Sequence, residues 1–195
     1  DEQIRAVAIG DIGNVDYFTG RLEDARRLYR QATDIQRKYD DRRGMAINLN
    51  NNACIALELS DWSDAIEMSR ECIAVFGDMG MREGVMHSTH NLAVAALGLG
   101  ELGQAQAHLD TTLDLALSLD ATPDGLDFLV TGARLLRARG DVARAAQVLA
   151  GVTRHPAAMA RSREAAEREL ATMGPAPEAG PEAPSFQDLV ALCRA

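Results

Sequence analysis

The chain has 195 residues, 47% of them hydrophobic but only 4% aromatic, and 29 acidic against 20 basic side chains give a net charge of −9. That length suits one domain or one repeat array, and a core drawn from Ala, Leu, Val, Ile and Met suits close helix–helix packing better than a β-sandwich. The negative balance argues against a general nucleic-acid or anionic-membrane binder, since both require a basic surface.

The opening DEQIRAVAIGD carries charges and no long apolar run, so it does not read as a signal peptide. From there apolar spacing of the i, i+3, i+4 kind predicts paired helices at 3–18 and 21–39, 42–59 and 62–76, 82–99 and 101–119, and 124–139 and 141–153. Asp61 and Asp141 stand at N-cap positions, and Pro123 falls where a first-turn proline is tolerated. A further helix is expected at 157–172, beginning at Pro156, and no segment alternates like a strand. The longest apolar run, LAVAALGLG (92–100), is too short to span a bilayer. Residues 1–173 thus read as a helical array, and the Pro-, Gly- and Ala-rich stretch 174–184 as a linker. The final segment, 185–195, reads as a short amphipathic helix. Ser185 and Asp188 have capping-box spacing, and Phe186, Leu189, Val190 and Cys193 form one apolar stripe.

The array has a period. GRLEDA (20–25), SDWSDA (60–65), GELGQA (100–105) and GDVARA (140–145) recur every 40 residues. A small residue also lies seven positions before each turn, at Gly13, Ala53, Ala93 and Ala133, and five after it, at Ala25, Ala65, Ala105 and Ala145. Two small-residue registers repeated four times are what antiparallel helix pairs need where their backbones come closest.

This pattern resembles the tetratricopeptide repeat (TPR) family. The fullest copy is IGNVDYFTGRLEDARRLYRQA (12–32), with Gly13, Gly20, Ala25, Tyr29 and Ala32 at the family's small, turn, small, aromatic and small positions. Later copies depart from it: Ser60 replaces the turn glycine, and Ser69, Leu109 and Leu149 stand where Tyr29 does. The family's usual period is 34 residues, and the roughly six extra ones fall between Ala32 and Ala46, which is expected to lengthen the hairpin ends around 39–45 and 77–85. The phrases RRGMAINLNNNACIALELSDWSDAI and REGVMHSTHNLAVAALGLGELGQA are further similar to the long-repeat arrays of bacterial signal-transduction ATPases and LuxR- or AfsR-like regulators. The resemblance implies an all-α, TPR-like superhelix of about four antiparallel helix pairs plus C-terminal helices. It also implies a non-catalytic module that binds a protein or peptide as the sensing or scaffolding part of a bacterial regulator. The basic pair of a carboxylate clamp is missing, since Val7, Ile47 and Asp127 hold those positions.

Motifs for chemistry are sparse. No GK dipeptide, GxSxG, HExxH or paired-cysteine zinc spacing occurs, so no cofactor, metal or catalytic residue is assigned. Cys54, Cys72 and Cys193 are odd in number and without CxxC spacing, which favours reduced thiols and a cytoplasmic setting. Trp62 reads as a packing aromatic. Stacked hairpins place the first helix of each pair on the concave face, and there the chain sets Asn14, Asn50, Asn51, His87, His90, Asn91 and Arg134. Asn51 and Asn91 share one register, Asn14 and Arg134 another. An amide donates and accepts at once, which suits a peptide backbone, but the same groups could instead bond neighbouring helices. A module that binds its own copy, or a stand-alone peptide-responsive regulator, is the alternative.

Overall fold

A computed structural model describes residues 2–173 and 183–194. The expected linker lies outside the described residues over 174–182. All regular structure among the described residues is helical: α1 (Glu2–Phe18), α2 (Leu22–Lys38), α3 (Arg42–Glu58), α4 (Trp62–Asp78), α5 (Arg82–Gly98), α6 (Leu102–Ser118), α7 (Thr122–Ala138), α8 (Val142–Arg154), α9 (Ala160–Ala171) and α10 (Phe186–Arg194). The chain forms two compact units, Asp1–Leu99 and Gly100–Ala195. The first holds α1–α5 and the second α6–α10.

The helices are counted out evenly. Each of α1 to α7 has 17 residues, and φ is positive at every twentieth residue: Gly20, Asp40, Ser60, Gly80, Gly100, Asp120 and Gly140. A left-handed residue after a helix lets the next N–H turn back onto a carbonyl of the last turn. Those bonds are present, from Arg21 N to Asp16 O (2.9 Å), Asp41 N to Gln36 O (2.9 Å), Asp61 N to Ala56 O (2.8 Å) and Met81 N to Phe76 O (2.8 Å). The turns at 40, 80 and 120 are therefore as tight as those at 20, 60 and 140. The extra residues expected to lengthen the hairpin ends extend the helices instead.

One expected helix start is corrected, and Asp61, which does stand at the N-cap of α4, does not cap it with its side chain. Asp141 caps α8 by accepting from Arg144 N, but the Asp61 side chain makes no cap bond. Its carboxylate turns to Arg26 on α2, 2.8 Å away, and the guanidinium holds it below the usual carboxylate range. The helix expected from Pro156 begins only at Ala160. A proline disfavours helical backbone in the residue before it, and His155 is accordingly extended (φ −67, ψ 130), which ends α8. Pro123 sits in the first turn of α7 as expected.

The small-residue register is buried: Ala25, Ala53, Ala65, Ala93, Ala133 and Ala145 have no exposed surface, and Ala105 keeps 2%. Gly13 serves a related need, because a Cβ there would stand 2.9 Å from the Tyr29 ring. Gly98 lies against Trp62 in the same way, which makes that tryptophan a packing residue. In the first unit Met45, Leu49, Cys72, Val75 and Phe76 form one cluster and Ala25, Tyr29 and Ile55 another. In the second, Leu109, Leu113, Leu126, Leu129, Leu135 and Leu149 are buried.

The final segment folds as its pattern predicts. Ser185 Oγ accepts from Asp188 N at 3.1 Å, and the Asp188 carboxylate accepts from Ser185 N at 3.1 Å. Phe186, Leu189, Val190 and Cys193 are all buried. They face glycines: Phe186 covers Gly125 and Cys193 covers Gly132, both on α7, while Leu189 covers Gly151 on α8. Arg194 reaches the carboxylates of Asp110 (3.1 Å) and Asp114 (2.8 Å) on α6.

Candidate binding face of the first unit

Four of the seven expected site residues are brought together in pairs. Asn14 on α1 and Asn51 on α3 meet through Asn51 Nδ2 and Asn14 Oδ1 at 3.3 Å. Asn50 on α3 and Asn91 on α5 meet through Asn91 Nδ2 and Asn50 Oδ1 at 3.1 Å. The bonds thus cross between the first helices of successive pairs, α1 to α3 and α3 to α5. Asn91 is buried, whereas Asn14, Asn50 and Asn51 are half-buried.

Two of these amides are oriented by a second donor. Asn14 Oδ1 also accepts from the Tyr29 hydroxyl at 2.7 Å, and Asn50 Oδ1 also accepts from Ser88 Oγ at 2.9 Å. Each carbonyl oxygen is fully engaged within the fold, so each NH2 group is the end left to donate elsewhere. Burial pushes the Tyr29 phenol up to about 12, with the Cys54 thiol adding to the shift, so its proton stays in place to hold Asn14. His87 and His90 are half-buried on α5, beside Asn91 in the chain. Arg134 stands in the second unit, where it and Arg137 hold Glu169 of α9 at 2.8 and 3.1 Å.

The neighbouring asparagines do other work. Asn48 is buried and donates to Gln36 Oε1 at 2.9 Å, which ties α3 to α2. Asn52, 2% exposed, lines a cavity of about 240 Å³ between α2, α3 and α4, together with Thr33, Leu49 and Met68. Sequence reading did not find this cavity. Its signal was a polar residue at position 52 in a register that holds Leu92 one period later. Among the described residues no group of three or more His, Cys, Asp and Glu is placed to hold a metal ion. No helix there is long and apolar enough to cross a membrane.

Comparison with known proteins places the fold. A family model, the tetratricopeptide repeat, matches residues 4–78. No curated protein matches the chain. Among solved structures, the nearly identical TPR-like repeats of a Podosopora anserina kinesin light chain are similar over all of this chain and 95% of theirs, with a TM-score of 0.65 and 20% identity. A single-substitution variant of the same repeats gives 0.66 with the same identity and coverage. The fold is that of TPR-like helical repeats, an architecture that generally mediates protein–protein interaction.

Proposed function

We propose that the chain is a non-catalytic module that binds a protein or peptide, serving as the sensing or scaffolding part of a bacterial regulatory protein in the cytoplasm. The observation that carries the reading is the pair Asn14 and Asn50, whose carbonyl oxygens are held by internal donors and whose NH2 groups are left to donate. An extended peptide offers a carbonyl at every residue, which is the acceptor such a row of donors fits. His87, His90 and Asn51 belong to the same proposed surface of the first unit by their repeat positions. The bacterial and regulatory parts rest on the resemblance of residues 42–66 and 82–105 to long-repeat arrays, and the three thiols are in keeping with the cytoplasm.

A displayed library of linear peptides panned on the chain tests it. Peptides that bind should weaken when Asn14→Asp and Asn50→Asp are introduced together, because aspartate keeps the internal acceptor and removes the outward donor. Each lost bond is worth about 0.5–1.5 kcal/mol of affinity. Binding that ignores both substitutions would sink the reading.

A second reading, self-association, is favoured by α1. Ile4, Val7, Val15 and Phe18 are 70%, 54%, 58% and 83% exposed, an apolar surface of the kind that marks an interaction site.

A further inference from the structure

The docking of α10 reveals what the groove between the second helices of adjacent pairs is built to accept. In the second unit that groove is walled by α6 and α8 and floored by α7. Arg194 reaches Asp110 and Asp114 on one wall, Cys193 lies on Gly132 of the floor, and Leu189 lies on Gly151 of the other wall. Two 40-residue periods earlier those four positions are Arg30 and Asp34 on α2, Asn52 on α3 and Glu71 on α4. All four line the 240 Å³ cavity of the first unit. The cavity is the first unit's counterpart of a groove that already holds a helix.

Its chemistry is the opposite. Where glycines admit apolar side chains against α7 and α8, Asn52 and Glu71 present an amide and a carboxylate. Asn52 Oδ1 and Thr33 Oγ1 are buried and have no hydrogen-bond partner among the described residues. A buried polar atom left without a partner is rare in folded proteins and calls for a ligand or solvent. Around them stand Asp34, Asp64, Glu67 and Glu71 against Arg30 and Arg37. Arg30 pairs with Asp64 at 3.4 Å and Arg37 with Glu71 at 2.8 Å, so the carboxylates of Asp34 and Glu67 are in excess. An apolar helix like α10 would leave Asn52 Oδ1 unsatisfied and strip water from those carboxylates.

We propose that the groove between α2 and α4 docks a short helix of a partner protein whose buried face is basic and hydrogen-bond donating. Such a helix carries Arg or Lys where α10 has Leu189, against Glu67 and Glu71, and Gln, Asn or Ser where it has Cys193, donating to Asn52 Oδ1. The two positions are four residues apart and so share one helix face. This groove shares no residue with the asparagine pairs of α1, α3 and α5, and its failure would leave that reading standing.

The test is a displayed library of 11-residue helices built on SFQDLVALCRA, randomised at the places of Phe186, Leu189, Val190, Cys193 and Arg194 and panned on the full chain. Recovered helices should carry a basic residue at the Leu189 place and a donor at the Cys193 place. They should lose at least tenfold in affinity on both Asn52→Leu and Glu71→Gln chains, and keep it on the Asn14→Asp, Asn50→Asp chain. If circular dichroism shows that Asn52→Leu is unfolded, Glu71→Gln on the partly exposed wall carries the test alone. No enrichment, recovery of apolar helices, or binding indifferent to Glu71→Gln would overturn the proposal.

Discussion

Ser60 holds a φ of +60°, a left-handed backbone that four of its six counterparts meet with glycine. The Cβ of an L-residue is crowded in that conformation, and serine gains less from it than the aspartates at 40 and 120, whose type tolerates it better. Ser60→Gly should therefore stabilise the chain by about 0.5–1 kcal/mol, the relief of strain outweighing the greater freedom of an unfolded glycine. A urea melt reads it, and an unchanged midpoint would mean the turn is unstrained. The opposite sign is expected at the close helix contacts: Ala65→Leu or Ala105→Leu should cost roughly 1–3 kcal/mol through overpacking, since neither has more than 2% of its surface exposed. His155 makes a third residue-scale case. Burial lowers its pKa from the ordinary 6.5, and its Nδ1 accepts from Ala157 N at 3.1 Å, which a protonated ring nitrogen cannot do. The unfolded chain then takes up the proton more readily than the folded one, so this contribution is complete above about pH 6.5 and is lost as the pH falls below it. The melting temperature should drop between pH 7.5 and pH 5.5, and His155→Gln should shrink that drop.

At the scale of elements, α10 is the informative one. Nine residues do not sustain a helix in water, so its order depends on the glycines beneath it. Glycine inside a helix costs about 1 kcal/mol relative to alanine, and Gly125, Gly132 and Gly151 are explained by the side chains they receive. Gly151→Leu should evict α10 without altering it. Burial, with the Asp110 carboxylate adding to it, pushes the Cys193 thiol up to about 11, so alkylation of Cys193 at pH 8 should be slow in the native chain. It should quicken by roughly tenfold or more in the variant, as local protection is lost; an equal rate in both chains would mean α10 is not seated. The helix itself was legible in sequence because a capping box and an i, i+3, i+4, i+7 stripe are local signals. Its seat was not, because glycines at 125, 132 and 151 read only as weak points in helices. The repeat was legible for a related reason. Small residues at 13, 53, 93 and 133 mark it directly, but the finer beat of twenty is hidden where Asp40, Ser60 and Asp120 replace the turn glycine. The asparagine register could be read by position, whereas its pairing, Asn14 with Asn51 and Asn50 with Asn91, depends on how successive helices stack.

For the whole molecule, the balance lies between a net charge of −9 and the apolar surface of α1. Like charge keeps copies apart at low salt, and screening shortens that repulsion to about 8–10 Å at moderate ionic strength. If α1 is a self-association surface, light scattering should show mass rising with concentration, and more steeply in added salt. Val15→Ser with Phe18→Ser should then hold the chain monomeric. A constant mass across concentration and salt would remove self-association as a reading.

The even spacing of left-handed residues, from Gly20 to Gly140, also governs what changes of length the gene can survive. Each block of twenty carries one helix and one reversal, so within each unit consecutive blocks run in opposite directions. Excising forty residues, such as 21–60, joins Gly20 to Asp61 and presents the following helix in the direction its predecessor had. Excising twenty joins the same kind of turn but delivers the later helices of that unit upside down, with their buried alanines facing the wrong neighbour. Viable insertions and deletions in this chain should come in even multiples of twenty, a rule of inheritance written into the backbone rather than into any side chain.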